Sequence, residues 1–222
     1  MNIWDWSYVW DAFPYLYRGA IVTVQATLIG FGVALILGLA IALVRQSSNR
    51  IVSTATTEVV EFIRSTPLLL QVFFVYYVGP QFGIVISAWG VGIGVLGIHY
   101  AAYCSEVYRA GIENVEGGQW EASVALNLSR IRTWRKIILP QAIPPIVPGL
   151  GNYFIGMFKD TPILAAIAIL EMLQQAKNFG SNNYRYIEAI TMAGAFYLVF
   201  SLVASAMVHA VSIWLNRRYH LQ

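Results

Sequence analysis

Charge is scarce in this chain. Of its 222 residues only 11% are Asp, Glu, Lys or Arg, while 58% are hydrophobic. A soluble domain carries roughly 25% charged residues. With a mean hydropathy of +0.60, this composition excludes a disordered chain, whose signature is the reverse. Cysteine is nearly missing too. Cys104 stands alone, which excludes a disulfide scaffold and a thiolate zinc site. There is no Gly-Lys pair, so the phosphate-cradling loop of a nucleotide hydrolase is absent. His-Glu-x-x-His and Gly-x-Ser-x-Gly are absent as well, which argues against an intramembrane enzyme. No catalytic residue, metal site or cofactor is expected. The net charge of +3 does not point to nucleic acid, because the basic residues punctuate apolar runs and form no patch of their own.

What abounds is uncharged apolar sequence. A bilayer core of about 30 Å takes about 20 apolar residues in a helix. Residues 20–44 are the first such run, and Asp5 and Asp11 in the preceding flank set it apart from a signal peptide. The stretch Ser65–Ser105 is also uncharged but too long for one crossing, and Gly79-Pro80 reads as a turn within it. It therefore divides into spans near 60–78 and 84–108. A fourth run, 137–158, contains Pro140, Pro144, Pro145 and Pro148. A straight helix is not expected there, and neighbouring groups must satisfy the freed carbonyls. A fifth covers 189–215. Between the last two, Thr161–Leu170 is too short to cross and reads as a re-entrant or buried segment, while the polar stretch Gln174–Arg185 reads as a loop. Trp4, Trp6, Trp10, Tyr15 and Tyr17 ahead of the first span resemble an interfacial aromatic belt.

Topology follows from the basic residues. Arg45, Arg50, Arg109, Arg130, Arg132, Arg135, Lys136, Arg217 and Arg218 fall on one side, which is then the cytoplasm; Arg18, Lys177 and Arg185 fall on the other. The expectation is one all-α integral membrane domain with five crossings, its N-terminus outside and its C-terminus in the cytoplasm.

The cytoplasmic connection 113–136 is far longer than a bare link requires. It reads as helix, tight turn and helix: Glu121–Leu126 are mostly good helix formers, Asn127 suits a left-handed helix end, and Ser129 suits a following N-cap. On the second helix Ile131, Trp134 and Ile138 share a face, with Arg132 and Lys136 opposite. With Trp120 taken as exposed, the segment suits either helices lying on the membrane or a docking element for a cytoplasmic partner.

Glu121-Ala122-Ser123, three residues, Asn127 and then Ile137-Ile138-Leu139-Pro140 resembles the "EAA" loop of permease subunits in bacterial ATP-binding-cassette (ABC) importers. Ser123 stands where that pattern has a second Ala, and Asn127 where it has Gly. Arg64-Ser65-Thr66-Pro67-Leu68, Glu106–Ile112, Gly118-Gln119 and Lys159-Asp160-Thr161 are similar to the polar amino-acid uptake branch (histidine, glutamate and glutamine type). The resemblance implies a type I importer permease in the bacterial inner membrane. It also implies a dimer of separate ATPase subunits, a second permease, identical or a sister, and a periplasmic or lipid-anchored substrate-binding protein. On that resemblance Gly118, Gln119, Trp120, Glu121, Ala122, Ser123, Leu126 and Asn127 form the ATPase-coupling helix, with Glu121 as contact and Trp120 or Leu126 as apolar anchors. A polar amino acid or related zwitterion would be the solute.

Ionisable groups near spans mark a pathway or pair with one another. The pathway candidates are Arg64, Gln71, Glu106, Lys159 and Asp160, joined by His99, Glu171 and Glu188. Gln71 and Glu106 are the preferred solute contacts. The competing readings are an Arg64–Glu61 pair and a structural Lys159–Asp160 pair capping the fourth span. His209 reads as hydrogen-bonded within the bundle, Cys104 as a buried filler, and Gly30, Gly32, Gly38, Gly92, Gly94 and Gly97 as close helix contacts. A secondary transporter driven by an ion gradient is the rival function, but it would usually carry internal repeats and more spans.

Overall fold

The computed structural model describes residues 3–219. Among these the chain is all-helical, without a strand. α1 (Trp6–Arg45) starts at Asp5, whose carboxylate accepts the Ser7 N–H at 2.9 Å, the usual N-cap bond. The helix therefore begins well before Ala20. Trp6, Trp10, Tyr15 and Tyr17 are exposed on the same helix as the first apolar run, instead of preceding it.

α1 packs on α4 (Ala88–Glu113) through small residues. A Cβ on Gly38 would lie 2.8 Å from Cys104 Cβ, and one on Gly97 would lie 2.6 Å from Val33 Cγ1. Small side chains let helix axes approach where lipid offers no hydrophobic drive. Gly32 and Gly94, by contrast, have nothing within 4 Å of such a Cβ. They are not packing contacts within this chain. Ala34, Leu96, Tyr100 and Cys104 join Met157, Leu164 and Ile167 in the main core.

α2 (Arg50–Ser65) is amphipathic, and Asn49 caps it. It does not run on into the second apolar stretch. The chain breaks at Thr66-Pro67, and α3 (Leu68–Phe73), with the π and 3₁₀ turns that prolong it to Phe82, leaves at 101° to α2. The expected crossing 60–78 is thus not one helix. Proline disfavours helical geometry in the residue before it, and Gln71 stabilises the break. Its Nε2 donates to the carbonyls of Ile63 (2.8 Å) and Thr66 (3.1 Å) and to Thr66 Oγ1 (2.7 Å).

α5 (Gly117–Ala125) and α6 (Arg130–Thr133) lead through a π turn, Trp134–Ile138, into α7 (Leu139–Asp160). α7 holds Pro144, Pro145 and Pro148 within one continuous helix. Pro140 falls at the start of α7, where a missing N–H is tolerated, directly after the π turn. Gln141 Nε2 also donates to the Ile137 carbonyl at 2.8 Å. The 3₁₀ turn Thr161–Ile167 follows, with Thr161, Leu164 and Ile167 buried.

The stretch read as a loop is a helix, α8 (Met172–Asn183). Buried Glu171 caps it, accepting the N–H groups of Leu173 (2.8 Å) and Gln174 (2.6 Å). Met172, Ala176 and Phe179 follow helical spacing and pack on Ala12, Leu16 and Ala20 of α1. α9 (Tyr186–Arg218) closes the bundle, and His209 lies exposed on it without a hydrogen bond among the described residues, not bonded inside as expected. α1 and α9 are each long and apolar enough to cross a membrane. Arg50–Ser65 with Leu68–Phe82, and Arg130–Ile167 with Met172–Asn183 (bent by 50°), qualify only as pairs.

A Cβ on Gly19 of α1 would fall 2.7 Å from the Met172 Cα. Backbone cannot rotate aside as a side chain can. Gly19→Leu is expected to separate α1 from α8 and to remove most folded protein in fluorescence-detected size exclusion. Gly32→Leu, which meets open space, should express like the parent.

Candidate functional site

The segment between α4 and α7 is built around one turn. α5 ends at Ala125 with Leu126 as its C-cap, and Asn127 adopts φ 49°. Leu128 N–H reaches back to the Ser123 carbonyl (3.0 Å) and Asn127 N–H to the Val124 carbonyl (2.9 Å). This pair of bonds is the Schellman closure, which needs a left-handed residue at the Asn127 position. Asparagine tolerates that geometry better than any residue except glycine. Asn127→Ala is expected to weaken the turn by about 1 kcal/mol, seen as faster amide exchange over 117–128. Asn127→Gly should leave exchange unchanged.

Ser123 is buried, and its Oγ donates to the Gln119 carbonyl at 2.7 Å. The buried hydroxyl is thereby satisfied. Trp120 is half-buried, not exposed. It meets Trp134 edge-on at 5.3 Å and joins a cluster with Val115, Ile138 and Ala142. The exposed apolar groups of α5 are Val124 (78%) and Leu126 (70%). Beside them, Glu121 is exposed and makes no hydrogen bond or ion pair among the described residues. Gly118 is exposed with open space around it, Gln119 is half-buried and Ala122 exposed. Trp120, Glu121, Val124, Leu128 and Trp134 line an open groove of about 850 Å³.

Two local expectations change. Ser129 precedes α6, but its side chain makes no capping bond. Ile131 does not share a face with Trp134 and Ile138: it is 72% exposed while Ile138 is buried. The π turn inserts extra arc after α6, so a regular 3.6 period does not hold across it.

The pathway candidates separate into two groups. Glu106 is a charge hub at the end of α4. Its Oε1 accepts from Arg45 at 2.5 Å and lies 3.7 Å from Arg64, and its Oε2 accepts two bonds from Arg109 (2.8 and 3.1 Å). Arg64 also pairs with Glu61 at 2.8 Å and stacks over Tyr103. Arg45, whose side chain is 7% exposed, was not among the expected site residues. Its place in the sequence, at a helix end, reads only as a topology mark. The second group is aromatic: His99, Tyr100, Tyr103 and Tyr153 meet in T-shaped and tilted ring contacts across α4 and α7. Tyr100 donates to Asp160 at 2.7 Å, and His99 Nδ1 lies 3.2 Å from Gln71 Oε1.

Gln71 and Glu106, expected to contact solute, thus have their polar atoms engaged by their own chain. Both brace the α2–α3 elbow against α4. Lys159 and Asp160 form no ion pair with each other among the described residues. Asp160 turns inward to Tyr100, while Lys159 is exposed in a shallow groove with Tyr197, Ser201 and Ser205.

Apolar helices of membrane-spanning length, with a short helix set between α4 and α7, fit a membrane transport subunit. Comparison with known proteins agrees. The chain belongs to the family described as binding-protein-dependent transport system inner membrane component, whose pattern matches residues 34–217. It is the transmembrane permease subunit of an ABC importer. It is 45% identical, over 92% of this chain and 89% of the relative, to the probable amino-acid ABC transporter permease protein y4tG of Sinorhizobium fredii. The nopaline transport system permease protein NocM of Agrobacterium fabrum is 35% identical over 96% of this chain and 92% of its own length. The glutamine transport system permease protein GlnP of Escherichia coli is 32% identical over 90% and 93%. Among solved structures, an amino acid ABC transporter with histidines superposes with a TM-score of 0.89 at 34% identity, covering 94% of this chain and 98% of that one. The MetNI methionine ABC transporter, at 17% identity and TM-score 0.76 over 90% and 96% of the two chains, shares the fold.

Proposed function

We propose that this permease carries a polar amino acid or a related zwitterion into the cell, driven by a separate ATPase dimer that grips α5. The observation that carries the reading is the exposed triad Glu121, Val124 and Leu126 on a helix fixed by the Asn127 closure. A rigid helix seated in a partner's cleft transmits movement as a joint. Gly118, Gln119, Trp120, Ala122 and Ser123 complete the coupling helix, with Trp120 anchoring it from behind. A second permease subunit and a periplasmic or lipid-anchored binding protein complete the importer.

Five crossings, formed by α1, the α3 region, α4, α7 and α9, put α5 in the cytoplasm and the N-terminus outside. The distribution of Lys and Arg supports that orientation. The pathway passes the aromatic group and Arg64, Gln71, Glu106, Lys159 and Asp160. Gln71 and Glu106 act there as positioning residues. The relatives named for amino-acid, nopaline and glutamine transport support the solute class.

The test is uptake into proteoliposomes holding the whole importer and its binding protein. Uptake is expected to need internal ATP, to be blocked by vanadate and to be competed by amino acids. Uptake that ignores vanadate and collapses with a protonophore would contradict it in favour of an ion-gradient carrier.

A further inference from the structure

The basic residues give no sign of a patch when read along the sequence, yet the turn after α5 gathers four of them. Arg130, Arg132, Arg135 and Lys136 are all exposed, and none makes an ion pair among the described residues. No Asp or Glu occurs between Ala122 and Lys159, so the acids of the chain nearest in sequence lie outside this stretch. Ser129, Arg132, Arg135 and Lys136 line a polar groove of about 480 Å³, with Ile131 at its wall. The Ser129 hydroxyl makes no capping bond, so it stays available to an acceptor. Ile131 is 72% exposed, an apolar side chain among cations.

We propose that this groove binds the phosphate headgroup of an anionic phospholipid in the cytoplasmic leaflet. Two observations favour lipid over the ATPase as the occupant. Arg135 and Lys136 belong to the π turn that runs directly into α7, so they stand where the chain enters the bilayer. Ile131 supplies an apolar group to rest among acyl chains, and cationic side chains keep their heads at the headgroup level. The apolar groups offered to the ATPase, Val124 and Leu126, are on α5 instead. A bound headgroup would tie the far end of the coupling loop to the membrane, so that α5 moves with α7. The inference rests on the cytoplasmic placement of the loop proposed above.

The test uses the assembled importer in nanodiscs of phosphatidylcholine with a minor share of phosphatidylglycerol. Lipid retained after detergent exchange is read by native mass spectrometry, and ATP hydrolysis is recorded on the same sample. Each basic residue at such a surface contributes about fivefold to affinity for anionic lipid. The triple variant Arg132→Gln, Arg135→Gln, Lys136→Gln is therefore expected to lose about a hundredfold in phosphatidylglycerol enrichment. Arg50→Gln, on α2, should keep it, and excess inorganic phosphate should not displace the lipid. Equal retention by the triple variant overturns the proposal. Displacement by inorganic phosphate overturns the lipid as ligand, and loss of ATPase subunits from the triple variant assigns the surface to that partner. If the parent chain itself fails to hold an ATPase while retaining lipid, the coupling reading falls and the lipid site stands.

Discussion

Glu121→Lys is expected to leave the protein in the membrane at parental levels while uptake falls at least tenfold and ATPase subunits no longer co-purify. The carboxylate is exposed in the middle of α5, flanked by Val124 and Leu126, and no group of the described chain engages it. A role within the helix alone would be small. Charge near a helix start contributes about 0.3–1 kcal/mol and fades after the first turn, which residues Gly117–Trp120 already occupy. Reversal would then alter uptake by less than about fivefold. Facing a cation of the ATPase, reversal sets like charges together, which costs several kcal/mol at an interface. Glu121→Gln should fall between the two. Uptake and co-purification at parental levels in Glu121→Lys would remove the contact role.

The second large effect lies at Glu106. One carboxylate holds Arg45 of α1 and Arg109 of α4, with Arg64 of α2 at 3.7 Å. Removing one member of a buried pair costs about 3–5 kcal/mol, because the partner charges stay behind. Glu106 is 19% exposed, and Arg64 and Arg109 about a third, so solvent screening trims the expected loss to about 2–3 kcal/mol. Glu106→Gln should lower the thermal midpoint of the purified complex by several degrees and loosen α2, seen as faster proteolysis near Arg50–Ser65. The double variant Glu106→Gln, Arg45→Gln should recover part of the loss, since Arg45 is the most buried of the three cations. Full additivity of the two substitutions would deny the coupling between them.

Features with a local physical cause were the ones legible in the sequence. The turn at Asn127 could be read because few residues accept a left-handed backbone, and φ there is 49°. The all-helical membrane class followed from long uncharged runs. The elbow at Thr66-Pro67 is hidden in the sequence because Pro67 lies inside the uncharged run Ser65–Ser105, which is itself long enough to span. Pro144, Pro145 and Pro148 lie inside one continuous helix, which no local rule for proline announces. In α8 the polar residues Gln, Asn and Ser mask the spacing of Met172, Ala176 and Phe179, and Glu171 just ahead of that spacing is the cap signal.

The charge hub is a matter of tertiary structure. Arg45 and Glu106 lie on different helices, and nothing in either local sequence announces the other. The same holds for Trp120, which reads as exposed until Trp134 folds across it at 5.3 Å. Val124 and Leu126 are the exposed apolar groups beside Glu121, while half-buried Trp120 packs on Trp134 and still lines the groove with Glu121.

Cys104 is fully buried, so a cysteine placed at Val124 would be the accessible thiol of the described chain. Labelling Val124→Cys with a membrane-impermeant maleimide, in right-side-out and inside-out vesicles, asks most directly whether α5 is the ATPase joint. Reaction only in inside-out vesicles stripped of ATPase, with protection when the ATPase is restored, is the expected result. Reaction from the outer face, or equal labelling with and without the ATPase, would contradict it.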